Sequence, residues 1–251
     1  MMLLRRGAPL LVCLPALLGP GQPASNPRQD ARIWIGRHHE IEEYLRTAEC
    51  VSVEVLGPSV AARCTLRAGG PFSRMAWRPL RPGVYRGFRE SYKAEIAAYE
   101  VDKLLGLDMV PPSVERQLGG NSGAAQLWVE GATPWNPDAP PDEAERGRWA
   151  DQAVRMRMFD DLIGNSDRNA GNIIHDAAWD LILLDHSRAF GVGLELPHKL
   201  SRIDKSFWAR IEHLTRAQLE GVLGPWLDHD QIEAVLARRD KMRAEIKRLP
   251  E

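Results

Sequence analysis

Apolar residues along the first third of the chain alternate with polar ones at a period of two. The stretch 51–56 (VSVEVL) places Val51, Val53 and Val55 on one face and reads as a strand. A Gly57-Pro58 turn follows, then an expected second strand at 60–66, closed by Gly69-Gly70-Pro71. A third strand is expected at 74–80, ended by Pro79 and Pro82, and a short helix at 33–46 precedes all three. The adjacent His38 and His39 suit a solvated turn rather than two ligands on one helical face.

From residue 91 the period changes to that of a helix. Ala97, Val101, Leu104 and Leu105 fall on one stripe, Ser91 stands where an N-cap belongs, and Gly106 with Pro111-Pro112 stops the helix. The apolar run 124–129 predicts a further strand. Residues 133–142 hold four prolines, predict a loop and mark the boundary between two parts of the chain. A second long helix is expected at 148–163, with Ala150, Val154, Met158 and Leu162 four apart and Gly164-Asn165 at its end. Segments 214–223 and 231–249 are again helical in period. Strands first and helices later predict an α+β fold, with a β-rich lobe at 25–131 and a helical lobe at 132–251.

Composition narrows the class. In 251 residues, 44% hydrophobic and 27% charged with a formal net charge of -1, there is core enough for a globular domain. No basic excess suggests a nucleic-acid partner. The first 24 residues differ: Arg5 and Arg6, an apolar run 8–19 too short to span a bilayer, and a small-residue exit. They predict a secretory signal peptide and a secreted or periplasmic protein; a misassigned start would make it cytoplasmic. Val12 before Cys13 does not resemble a lipoprotein cleavage site. Cys50 and Cys64 would remain, either as one disulfide or as two free thiols. Trp149, Trp179, Trp208 and Trp226 are expected to pack the second half, and the acidic tract 138–145 to form a solvated loop.

The chemistry concentrates in residues 164–190, GNSDRNAGNIIHDAAWDLILLDHSRAF. Ile173-Ile174 and 181–184 are short apolar runs around a polar turn, which predicts a β-hairpin. Pairing would bring Asn172 and Asp185 opposite one another, about 4.5–5.5 Å apart. Two hard oxygen ligands with room for water and phosphate suit magnesium or manganese. Asp167, five residues before Asn172, would serve as base or positioning group for a hydroxyl acceptor, and Arg168 would steady Asp167 or a phosphate.

The run Asp167-Arg168-Asn169-Ala170-Gly171-Asn172 with Leu184-Asp185 resembles the catalytic and metal-binding loops of the phosphatidylinositol 3-/4-kinase-like superfamily. Exported kinases of the secretory pathway and HipA-like toxin kinases are more distant relatives of that pattern. Residues 90–112 also look like bacterial and secretory-kinase-like members, so the resemblance covers roughly residues 50–190. It implies a two-lobed kinase-like fold and phosphoryl transfer from ATP with Mg2+ or Mn2+. Asp167 would be the catalytic aspartate, and Asn172 and Asp185 the metal ligands. Glu95 would be the helix glutamate that pairs with a strand cation. Leu127, Trp128, Val129 and Glu130 would form the adenine-facing hinge.

Two features depart from the pattern. Arg78 stands where the third strand should supply lysine, and the Gly57-Pro58 turn is poor in glycine for a phosphate-covering loop. These departures keep a pseudokinase binding module open beside an active kinase, with nucleotidyl transfer as a third reading. The acceptor, protein or small molecule, is not legible.

Overall fold

The computed structural model describes residues 31–57 and 61–249. The expected signal peptide at 1–24 with Cys13, and Pro58 of the first turn with Val60, lie outside the described residues. After a turn at Trp34 the chain forms helix α1 (His38–Thr47), later than the helix expected from residue 33. His38 and His39 open this helix instead of forming a turn. The His38 ring is held there, its Nδ1 3.0 Å from the Tyr99 hydroxyl. Strands β1 (Cys50–Val55), β2 (Ala62–Leu66) and β3 (Arg74–Arg78) form an antiparallel meander. A small hairpin follows, β4 (Gly83–Tyr85) with β5 (Phe88–Glu90), turned by Arg86 and Gly87 at φ 51° and 86°. Such left-handed pairs make tight hairpin turns, and the Pro79/Pro82 punctuation hides the two short strands in the sequence.

Helix α2 (Tyr92–Leu105) is capped as its sequence indicates. The Ser91 side chain accepts from Lys93 N–H, and Gly106 ends the helix in the left-handed region at φ 56°. Strands β6 (Ser113–Leu118) and β7 (Asn121–Leu127) complete a five-stranded sheet in the order β1-β2-β3-β7-β6. The β6–β7 turn is made by Gly119 and Gly120, both at positive φ, a hairpin not anticipated from the polar SVERQL stretch.

The proline-rich loop contributes a two-residue strand β8 (Thr133–Pro134). Helix α3 (Glu143–Ile163) starts five residues before its expected position, because Asp142 caps the Glu145 N–H. Part of the acidic tract is therefore its first turn, where carboxylates favour the helix dipole. After a 3-10 turn (Ala170–Asn172) come β9 (Ile173–His175) and β10 (Leu181–Leu183), then α4 (Lys205–Glu212), α5 (Arg216–Leu223) and α6 (His229–Ile246). Helix α4 lies in the region beyond residue 200 expected to be helical, ahead of the two segments given bounds there.

One apolar core joins α2 to α3, α5 and α6 through residues such as Ala97, Val101, Met158, Phe159, Leu219 and Val235. A second lies between α1 and the sheet, with Trp34, Ile41, Leu45, Met75 and Leu127 fully or nearly buried. Trp208 is buried, and Trp149 and Trp226 pack against the helical core, as expected. Cys50 and Cys64 form a disulfide between β1 and β2, with Cα atoms 5.8 Å apart. This decides between the two states left open for these cysteines. Among the described residues no helix is long and apolar enough to cross a membrane.

Candidate active site

The site is assembled where α3 ends. Gly164 turns the chain at φ 67°, a position where an added Cβ would come within 2.9 Å of the Arg238 guanidinium. The buried Asn165 then folds back, its Nδ2 donating to Asp160 Oδ1 at 2.9 Å, and its Oδ1 accepts the Asp167 N–H at 3.3 Å. The loop bearing Asp167 is thus fixed to the helix from which it departs.

Arg168 points inward. Its guanidinium donates to both oxygens of Asp160 at 3.0 Å and, through Nη1, to the carbonyls of Asn172 (3.0 Å) and Leu184 (2.7 Å). Nη2 also lies 2.8 Å from His186 Nε2. Arg168 is almost fully buried and clamps the open end of the β9–β10 hairpin. Asp167 is not among these partners. The cation that meets Asp167 is Arg188, whose Nη1 is 3.1 Å from Asp167 Oδ2.

The hairpin pairs Ile173 with Leu183 and Ile174 with Ile182. Leu184 N–H accordingly donates to the Asn172 carbonyl at 2.9 Å. The register therefore sets Leu184, not Asp185, across from Asn172, one residue short of the pairing expected from sequence. A five-residue connection from Asp176 to Asp180 sets this register. In a regular strand such a slip would turn Asp185 to the other face. Asp185 instead leaves the strand with φ 55°, a left-handed conformation rare outside glycine, which re-aims its side chain.

Asp185 Oδ1 accepts from Ser187 Oγ and meets Arg78 Nη1, both at 2.9 Å. The same Arg78 nitrogen is 2.9 Å from Glu95 Oε1. Glu95, buried in α2, accepts the His186 N–H on its second oxygen at 2.9 Å. Burial alone would raise the Glu95 pKa, but the Arg78 charge and the His186 contacts outweigh it and hold the carboxyl at about 2. Arg78 likewise stays cationic: burial opposes its charge, and Glu95 and Asp185 more than offset that. Burial pushes the His186 ring down, and neighbouring Arg168 adds to this, so the imidazole is neutral and accepts from Arg168.

Asn172 Nδ2 donates to the Asp167 carbonyl at 3.1 Å, which leaves its Oδ1 as the free oxygen. The Asp185 carboxylate supplies further oxygens. A hard, all-oxygen donor set of an amide and a carboxylate fits Mg2+ or Mn2+ that keeps water and phosphate ligands. Among the described residues no group of three or more His, Cys, Asp or Glu side chains gathers as a closed metal cage.

The hinge residues lie at the end of β7. Leu127 is buried in the core of the β-rich half, and Val129 is buried beyond it. Trp128 sits between the guanidinium groups of Arg63 and Arg74, 5.5 and 5.4 Å from its ring centre. Glu130 is paired with Arg74 and accepts from Ser73 Oγ. The side chains of Trp128 and Glu130 are thus engaged along the β2–β3 side of the sheet, and the N–H groups of Leu127 and Trp128 are taken by the carbonyls of Pro112 (2.9 Å) and Arg74 (3.3 Å). Asp160, His186, Ser187 and Arg188 are site residues that sequence reasoning missed. The signal available was Asp160 on the buried face of α3, flanked by Met156, Phe159 and Ile163.

No family profile matches the chain, and no curated protein matches it by sequence. Solved structures do match its fold. The Golgi casein kinase with Mn/ADP bound superposes with a TM-score of 0.62 at 16% identity, covering 83% of this chain and 75% of that one. Hydra Fam20 with sugar gives 0.61 at 17% identity, covering 82% and 87%. The Helicobacter pylori proinflammatory kinase CtkA gives 0.52 at 11% identity, covering 80% and 93%. These neighbours, among them a Golgi kinase and a bacterial kinase, agree with the kinase-like part of the expected resemblance and leave its phosphatidylinositol 3-/4-kinase-like part untested. The chain has the two-part kinase-like fold, sheet-rich before and helical after its central loop.

Proposed function

We propose that this protein is a kinase-like phosphotransferase that passes the terminal phosphoryl group of ATP to a hydroxyl acceptor. The observation that carries this reading is the linkage of Arg78 from β3 with Glu95 from α2 and Asp185 after β10, with Asp167 after α3 held by Arg188 beside them. Arg78 links Glu95 and Asp185 at 2.9 Å each, and Arg188 touches Asp167 while lying near Asp185. Residues from four separate segments brought together in this way suit binding of a polyphosphate and its counter-ion.

In this reading Asp167 accepts the proton of the acceptor hydroxyl. The hydroxyl oxygen forms the new bond to the γ-phosphorus, the bond from that phosphorus to the β–γ bridging oxygen breaks, and ADP leaves with the electron pair. Asp167 is 39% exposed on its side chain, open enough to meet an acceptor. Asn172 Oδ1 and Asp185 would hold Mn2+ or Mg2+, with a neighbouring fold in complex with Mn/ADP as support for manganese. When bound, that cation would neutralise charge on the phosphate oxygens. Arg78, held by Glu95, would orient a phosphate in place of lysine. Within the expected hinge 127–130, the backbone of Val129 and Glu130 would meet the adenine, the N–H groups of Leu127 and Trp128 being bonded within the sheet. Arg168 acts as a positioning residue that keeps Asn172 and Leu184 in register. The leader and the Cys50–Cys64 disulfide support an exported location.

The test is a thermal shift of the purified chain with ADP or ATP and with Mn2+ or Mg2+, separately and together, followed by transfer of labelled phosphate. Asp185→Ala is expected to abolish the metal-dependent shift. Asp167→Asn is expected to keep that shift and to lose transfer by about 10²–10⁴-fold. Turnover that survives Asp167→Asn would remove Asp167 as the base, and the product mass separates phosphoryl from nucleotidyl transfer. A second reading, a nucleotide-binding pseudokinase, is favoured by one observation: Arg78 pairs with Oδ1 of Asp185, the carboxylate assigned to the metal. A shift with Mn/ADP and no turnover would establish it.

A further inference from the structure

Between β3 and α2 the chain makes a detour, the two-stranded hairpin β4–β5, whose strands pair only with each other. The base of this ribbon is fixed. Tyr92 N–H donates to the Leu80 carbonyl at 2.7 Å, Ser91 N–H to the Ser187 carbonyl at 2.9 Å, and Arg188 Nε to Glu90 Oε1 at 2.8 Å. Within the ribbon, the Tyr85 hydroxyl donates to the Arg81 carbonyl at 2.9 Å.

The far end is apolar and exposed. Three of the nine large apolar side chains left exposed among the described residues, Val84, Tyr85 and Phe88, fall in this one stretch, Val84 at 74% and Phe88 at 51%. Scattered exposed apolar residues are ordinary, whereas a cluster marks an interaction surface. The register sets Val84 beside Arg89 on one face and Tyr85 beside Phe88 on the other, with Arg86 and Gly87 as the turn.

The charge at this end has one sign. Arg81, Arg86 and Arg89 are all exposed. Arg81 donates to the neutral Asn121 side chain at 3.3 Å, and Arg89 is a loose 3.8 Å from Asp228. Arg86 meets no carboxylate among the described residues. The ribbon's own carboxylate, Glu90, is held by Arg188. Arg86 is also an unusual turn residue. At φ 51°, followed by Gly87, the position favours Asn, Asp or Gly. Arginine there gives up turn stability and sets a cation at the tip.

We propose that the β4–β5 tip docks on the surface of an anionic phospholipid bilayer. Val84, Tyr85 and Phe88 would enter the interface, and Arg81, Arg86 and Arg89 would lie on the lipid phosphates. Guanidinium groups match phosphate geometry, aromatic rings favour the interface, and each cation adds attraction to an anionic surface. A protein partner suits the tip less well. A stable protein interface buries about 1,200–2,000 Å², more than two short strands present, whereas a bilayer receives a narrow tip on both faces. Docking would also orient the molecule. Arg188 covers the Phe88 ring at 4.3 Å and holds Asp167 at 3.1 Å, so the candidate active site would face the membrane closely. Lipid binding of this kind goes beyond phosphoryl transfer and is independent of it.

The test is co-sedimentation of the purified full chain with vesicles of phosphatidylcholine alone and of phosphatidylcholine mixed with phosphatidylglycerol, at low and high salt. Binding to the mixed vesicles, weakened by salt, with little binding to phosphatidylcholine alone, is expected. Arg86→Asn is expected to weaken partition about fivefold while Tm stays equal or rises, because Asn suits the turn. Arg89→Ala should weaken it by a similar factor, and Val84→Trp should strengthen it. The leader is common to all these chains, so differences among them report on the hairpin, and Tm is the fold control for each. Equal sedimentation of wild type and the Arg86→Asn/Arg89→Ala double variant would overturn the proposal, as would equal binding to both kinds of vesicle. Binding to polyglutamate as tight as to the mixed vesicles would assign the tip to an acidic polypeptide and overturn the bilayer.

Discussion

Arg78 shows how one substitution reshapes a site. A lysine at this position would offer a compact point charge, whereas the guanidinium meets two carboxylates at once, one in α2 and one after β10. Arg78→Ala would leave Glu95 charged, buried and unpaired, and is expected to lower unfolding free energy by about 3–5 kcal/mol in urea denaturation. Arg78→Lys should lose less. The pair also sets an acid limit. Glu95 titrates at about 2 in the folded protein against 4.5 as its ordinary value. Its contribution is therefore complete above pH 4.5 and is lost as pH falls from 4.5 towards 2. That contribution is on the order of 3 kcal/mol, one pKa unit being about 1.4 kcal/mol. Stability measured against pH should show this loss in wild type, and Glu95→Gln should flatten it.

At the scale of elements, helix α2 is stopped as much by a side chain as by Gly106. The fully buried Asp102 accepts the N–H groups of Met109 and Val110 at 3.0 Å each, fastening the segment that follows the helix. Burial pushes its carboxyl up to about 8, and the two backbone donors only partly oppose this. The folded state thus holds a proton that the unfolded chain releases near 3.8, so this group costs stability as pH rises from about 4 to 8. Asp102→Asn is expected to gain on wild type through that window and to hold a constant margin above it, as Tm against pH would show. The β9–β10 hairpin illustrates a different dependence. Its existence was legible in two apolar runs, but its register was set by the connection between them and by Arg168 bridging both ends.

Across the whole molecule, the sheet carries its own staple. The Cys50–Cys64 bond joins β1 to β2 across a sequence separation of 14. Loop-closure entropy for that length is worth about 3 kcal/mol. Reductant is expected to lower Tm measurably, and Cys50→Ala/Cys64→Ala should reproduce the reduced value without further response to reductant. Helix α2 shares its apolar face with the C-terminal helices while offering Glu95 to the strand cation, so the core that stabilises the helical half also sets the Arg78–Glu95–Asp185 bridge.

The sequence by itself determined what depends on a few neighbouring residues. Helices α2 and α3 were readable from apolar periodicity and from the Gly106 and Gly164 stops, and the order Asp167, Asn172, Asp185 was readable from spacing. These features are local because caps and periodicity act within one or two turns. The tertiary structure alone decided which side chains meet. It turned Arg168 inward to Asp160, supplied Arg188 to Asp167, bent Asp185 into a left-handed conformation and carried Arg78 to it from a distant strand. Such contacts depend on how the sheet and helices pack, and a side chain's direction at a strand end is set by its neighbours in space, not in sequence.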